Sequence, residues 1–127
     1  MGSGYGGGLR PEGAASLKSN IAKLAMKYPL SASGKFGTKS STGVHIVHTT
    51  NPSKTAKEFF KKLTMGRPVK NFSDGKGQYS IFIDSSRVNF RPNSSSGGPA
   101  VDIHFSGDKT SSYKIHFEPM PASERAK

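Results

Sequence analysis

Apolar residues fall along this chain at two spacings, one of about 3.6 residues and one of two, and the two spacings occupy different stretches. Leu17, Ile21, Leu24 and Tyr28 recur at i, i+4, i+7 and i+11, with Lys18, Lys23 and Lys27 off that stripe. This pattern predicts a helix over roughly Ala14 to Tyr28, ended by Pro29. The following Ser-Ala-Ser-Gly-Lys-Phe-Gly-Thr-Lys-Ser-Ser-Thr-Gly reads as a flexible connector, because small and polar residues cannot bury a core of their own.

From Gly43 onward the pattern sharpens. Val44-His45-Ile46-Val47-His48 is β-branched and strand-like, and Asn51-Pro52-Ser53 supplies a turn and a helix start. Ala56, Phe59, Phe60 and Leu63 then stand at i, i+3, i+4 and i+7, which predicts an amphipathic helix ending near Met65-Gly66, with Pro68 beyond it. After a turn at Ser73-Asp74-Gly75, period-two alternation predicts strands over Gln78–Ile83, Ser86–Arg91, Ala100–Phe105 and Tyr113–Glu118. Short turns link most of them, so an antiparallel meander is the economical topology. The expected fold is α+β, with N-terminal helices packed on one face of a four- to five-stranded antiparallel sheet. Residues 1–42 are expected to be a linker or a segment used for entering a target cell, and 43–127 the functional domain.

The alternation also sorts the strands into two faces. Val88, Phe90, Val101, Ile103, Phe105, Ile115 and Phe117 share one side and form the expected core. The other side then carries Arg87, Asn89 and Arg91, next Asp102 and His104, and last Lys114, His116 and Glu118. A polar face is usual for an antiparallel sheet open to water, but such faces are commonly Thr, Ser, Lys and Glu. Here two imidazoles, two carboxylates and three cations converge.

Charge strengthens that reading. The chain has 127 residues with 19 Lys+Arg against 8 Asp+Glu, a formal charge of +11, which favours a polyanionic partner. Cleaving RNA without a metal needs a base for the ribose 2′-hydroxyl, an acid for the leaving 5′-oxygen, and donors for the developing phosphorane charge. His116 and His104 suit proton transfer, with Glu118 a further base; Arg91 presents a planar fork to phosphate oxygens and Lys114 a compact charge. Ser94, Ser95 and Ser96, in the loop Arg91–Pro99 with its Gly97-Gly98 pair, add hydroxyl and backbone donors. Arg87 and Asp102 are further substrate-binding candidates, and Tyr79 and Tyr113 flank the polar face, where either ring is placed to stack on a base.

Two stretches carry a resemblance to a known group. Val88-Asn89-Phe90-Arg91-Pro92-Asn93-Ser94-Ser95-Ser96-Gly97-Gly98-Pro99-Ala100-Val101-Asp102-Ile103 and Lys114-Ile115-His116-Phe117, preceded by an Asn-Pro-x-x-Thr-Ala-x-x-Phe-Phe helix, resemble the C-terminal toxin domains of bacterial polymorphic toxins. These are carried by contact-dependent growth inhibition, Rhs, WapA-type and LXG-type effectors. The likeness spans about residues 49–118. It implies a ribonuclease of the barnase/EndoU/colicin/RelE-like group, acting on tRNA or other structured RNA as a monomer without a cofactor. It also implies secretion or cell-surface delivery within a larger effector, action in a target cell's cytoplasm, and neutralisation by an acidic cognate immunity protein. His104 falls where the resemblance implies Asn, so His116 and Arg91 head the candidates.

Two other functions compete. A non-catalytic RNA- or DNA-binding module would need only the charge and the arginine-bearing sheet. A metal-dependent DNase toxin would need a carboxylate set that Asp102 and Glu118 do not form in any recognised motif. His45 and His48 stand at i, i+3, a spacing that puts them on opposite faces of a strand, and no metal is expected there. The chain has no cysteine, which removes thiolate metal sites, disulfides and cysteine nucleophiles. No apolar run is long enough for a membrane span.

Overall fold

The computed structural model describes residues 16–94 and 97–120, with the backbone alone at 108–110. Helix α1 (Leu17–Leu24) begins where Ser16 caps it, the Oγ accepting from the Ser19 N–H at 3.1 Å. It buries Leu17, Asn20 and Leu24. Strand β1 (Thr38–Ser41) turns into β2 (Val44–Thr49). Asn51 caps α2 (Pro52–Leu63) by accepting from the Lys54 N–H, and Pro52 occupies the first turn, where its missing N–H costs nothing. Then follow β3 (Lys70–Asn71), β4 (Gln78–Ile81), β5 (Arg87–Arg91), β6 (Ala100–Phe105) and β7 (Asp108–Pro119).

The strands form one sheet in the order β1-β2-β7-β6-β5-β4-β3. The α+β class agrees with expectation, but the sheet has seven strands rather than four or five, and it is mixed: β2 pairs parallel to β7 while every other neighbour is antiparallel. The two extra strands lie at the edges. They are four and two residues long and exposed throughout, so no alternation marks them. The parallel pair arises because β7, the last strand of the meander that runs from β4, pairs along its other edge with β2, which runs in the same direction.

Amphipathic α2 lies against β2, β5, β6 and β7, and α1 packs on α2. Phe59 meets Phe117 edge-on at 5.0 Å and Phe60 stacks on Phe90 at 5.5 Å. Val88, Val101, Ile103 and Ile115 are wholly buried beneath them. Asn20 joins the helices by donating to the carbonyls of Leu63 and Met65, at 2.9 and 3.0 Å, which satisfies acceptors that a helix end leaves open. Where the sequence suggests a connector, Phe36 lies fully buried against Phe59 and residues 38–41 form β1. A single phenylalanine among polar neighbours has no periodicity, so its burial is set by the tertiary pocket it fills.

Candidate nucleic-acid interface

With both helices on one side, the opposite side chains form rows across the strands. One row runs Thr38, Ile46, His116, Ala100, Arg91. The next runs Val44, Lys114, Asp102, Asn89, Tyr79, Lys70. A third holds His104, Arg87 and Ile81. Arg91 and His116 therefore project from the same side, two strands and roughly 10 Å of backbone apart. The residue between them is Ala100, too small to fill the gap.

Lys76, Arg91, Asn93, Ser94 and Lys114 line an open cavity of about 450 Å³ on this face. Each is placed by local structure. Lys76 stands in a loop closed by Phe72 N–H donating to Gly77 O at 3.0 Å, with Asp74 Oδ1 accepting from the Lys76 N–H. Ser94 N–H donates to Gly98 O and Gly97 N–H to Ser94 O, at 2.8 and 2.9 Å, so the chain after Arg91 folds back on itself. That tight return needs φ of 85° at Gly97 and 75° at Gly98, the left-handed region glycine adopts without strain. Phe117 N–H donates to Pro99 O and ties the loop to β7. Three cations, an amide and a hydroxyl line the cavity with no carboxylate among them, which is a lining suited to an anion.

Beside the cavity lies an aromatic pair. Phe72 and Tyr79 stack at 5.4 Å with their planes 23° apart. The Arg87 guanidinium lies 4.3 Å from the Tyr79 centroid and the Arg91 guanidinium 4.6 Å from that of Phe72. Arg87 Nε donates to Asn89 Oδ1 at 2.7 Å, which fixes the plane of its guanidinium. Gly77 passes so close beneath Phe72 that a Cβ there would come within 2.9 Å of the ring.

Of the residues singled out from sequence, Arg91, Lys114 and Ser94 meet at the cavity. His116 shares the row of Arg91 without lining the cavity, and Asp102 stands between Lys114 and Asn89. His104 is exposed opposite Arg87, one row beyond Asp102. Glu118 lies at the other end of β7, 3.9 Å from His48. Ser95 and Ser96 lie outside the described residues.

Tyr113 requires a correction. It sits on the helix side, 6% exposed, with its hydroxyl accepting from the Phe36 N–H at 2.9 Å, so it cannot stack on a ligand at the open face. Burial pushes its phenol up to about 12. The β7 alternation puts Tyr113 in phase with Ile115 and Phe117, so its side was readable from the same pattern that placed the core. His45 and His48 fall on opposite faces: His45 is buried edge-on to Tyr113 with Nδ1 unpartnered, and His48 is exposed.

Lys76, Asn93 and Phe72 escaped the sequence reading. Asn93 belongs to the same loop as Ser94, whereas Lys76 and Phe72 sit around a turn whose position over the sheet depends on the unpredicted β3. Among the described residues no three His, Asp or Glu side chains gather as a metal site, and no helix is long and apolar enough to cross a membrane. Comparison with protein-family models, curated proteins and solved structures finds no match to this chain.

Proposed function

We propose that this protein is a small metal-independent endoribonuclease of the polymorphic-toxin kind, with its fold a member of the barnase/EndoU/colicin/RelE-like group. It cleaves by attack of the ribose 2′-hydroxyl and leaves a 2′,3′-cyclic phosphate. The observation that carries the reading is the grouping of Arg91, Lys114 and Lys76 around one open cavity, with His116 in the Arg91 row on the same open face.

In this mechanism the scissile phosphate lies between Arg91 and Lys114 over Ala100. Arg91 spans two non-bridging oxygens and holds the charge that grows as the phosphorane forms. His116 exchanges the proton, taking it from the 2′-hydroxyl or giving it to the 5′-oxygen. The second proton-transfer group is Glu118, two residues from His116 on β7, rather than His104, which stands two rows from Ala100 along β6. Ser94 and Asn93 donate to the phosphate from the loop. The substrate is RNA, tRNA or another structured species. An acidic immunity protein covers the basic cavity in the producing cell, and delivery to the target cell is through a larger effector.

The test is cleavage of cellular RNA by the purified protein in EDTA. The wild-type chain is expected to cut, Arg91→Ala to slow cutting about 10²- to 10³-fold, and His116→Ala about 10²- to 10⁴-fold. Persistent intact RNA with wild-type protein, or full-rate cleavage by both variants, defeats the proposal.

A further inference from the structure

The open face carries two aromatic rings that its own packing does not call for. Both helices and the apolar core lie on the other side of the sheet, yet Phe72 and Tyr79 stack half-buried on the side against which neither helix packs. Their surroundings are cationic rather than apolar: Arg87 lies over Tyr79, Arg91 lies over Phe72, and Lys76 and Lys114 stand at the adjoining cavity. The Arg87 guanidinium lies 4.3 Å from the Tyr79 centroid and 5.8 Å from that of Phe72, and its Nε donates to Asn89 Oδ1 at 2.7 Å, so it is preorganised beside the rings rather than free to rotate. Guanidinium and aromatic planes at one place are what an unpaired nucleobase stacks on, and cations beside them are what its phosphate meets.

We propose that Phe72, Tyr79 and Arg87 form a stacking subsite for an unpaired nucleobase, with the adjoining phosphate of the same strand in the cavity of Lys76, Arg91 and Lys114. The occupant is single-stranded nucleic acid. Its negative backbone complements the four cations, and its bases offer faces that a duplex keeps stacked within itself. The inference rests on the proposed function's placing of the strand on this face. It adds that cleavage falls in loops or unpaired segments, at a phosphate next to a base held by the arginine-aromatic group.

Binding is measured with two DNA strands of equal length, one of deoxyadenylate and one of abasic sugars, which carry the same number of phosphates. DNA lacks the 2′-hydroxyl, so binding is read apart from cleavage. The base-bearing strand is expected to bind the wild-type protein roughly tenfold or more tightly than the abasic one. Arg87→Lys, which keeps the charge but not the plane, and Tyr79→Ala are expected to bring that ratio towards one, with thermal melting confirming that both variants fold. Equal wild-type affinity for the two strands, a ratio unchanged in both variants, or a duplex bound as tightly as the single strand would overturn the subsite. The outcome is independent of the cleavage test: RNA cut by a protein that shows no base preference keeps the nuclease and discards the subsite, and intact RNA with the preference present does the reverse.

Discussion

Arg91 reaches the cavity because Ala100 beside it in the row is small and because Phe72 supports its guanidinium from the side. A planar fork and a point charge differ here. Arg91→Lys keeps the charge but gives up bidentate contact and the stacked plane, so its cleavage rate is expected between those of wild type and Arg91→Ala; a rate equal to wild type would show that charge alone matters. Tyr113 shows a different kind of dependence on surroundings. Its hydroxyl serves the buried Phe36 N–H, and Tyr113→Phe is expected to cost about 1–3 kcal/mol by orphaning that donor. Above the ordinary phenol value of 10.0 the unfolded chain loses this proton while the folded chain keeps it up to about 12. Stability should therefore fall as the pH rises from 10 to 12, a component that Tyr113→Phe removes in alkaline melting curves.

The junction between the helices rests on a small polar group of contacts. Glu58 on α2 accepts from Lys27 Nζ at 2.6 Å and from Tyr28 OH at 2.9 Å just beyond α1, and the Lys27 hydrogen bond foremost holds its carboxyl below the ordinary value of 4.5. A lowered carboxylate stabilises the fold above its unfolded value and loses that contribution as the pH drops through the folded one. Glu58→Gln is expected to melt below wild type at pH 7, and the two curves to converge as the pH falls below 4.5. A gap that persists in acid would show that shape rather than charge is at work. Helix α2 and the strands from β4 to β7 were legible in the sequence because period and alternation are written into their apolar residues. Strands β1 and β3 were not, since Thr-Lys-Ser-Ser and Lys-Asn owe their extended form to a neighbouring strand. Pairing direction was equally hidden: alternation says which face a residue takes, not which strand lies beside it. For the same reason Arg91, Lys114 and Ser94 could be named as site residues, while Lys76 and Phe72 enter only through the hairpin that β3 makes with β4.

Among the described residues three carboxylates are engaged in structure. Glu58 serves the helix junction, Asp74 accepts from the Lys76 N–H, and the Ser86 N–H donating to Asp84 lowers that carboxyl. Asp102 and Glu118 are the acidic side chains in the rows of the open face, where Lys70, Arg87, Arg91 and Lys114 outnumber them, in a chain whose formal charge is +11. Binding to single strands should release counterions as the cavity's cations neutralise the bound phosphate, giving a log–log salt slope of roughly −0.7 from that contact, and Arg91→Ala should bring it closer to zero. Anisotropy titrations over a range of salt measure this, and a slope near zero would place binding away from the cavity. With the core on one side and the charge on the other, exchanging Arg91 or His116 is expected to have little effect on folding, since neither belongs to the apolar interior.

The most direct test of the account is the chemistry of the cut ends, read from RNA incubated with the protein in EDTA beside the same RNA carrying a 2′-deoxy sugar at the cleaved position. The expected result is a 2′,3′-cyclic phosphate and a 5′-hydroxyl on the natural RNA, with the deoxy position left uncut. A 5′-phosphate end, cleavage of the deoxy position, or loss of all cutting in the chelator would contradict it.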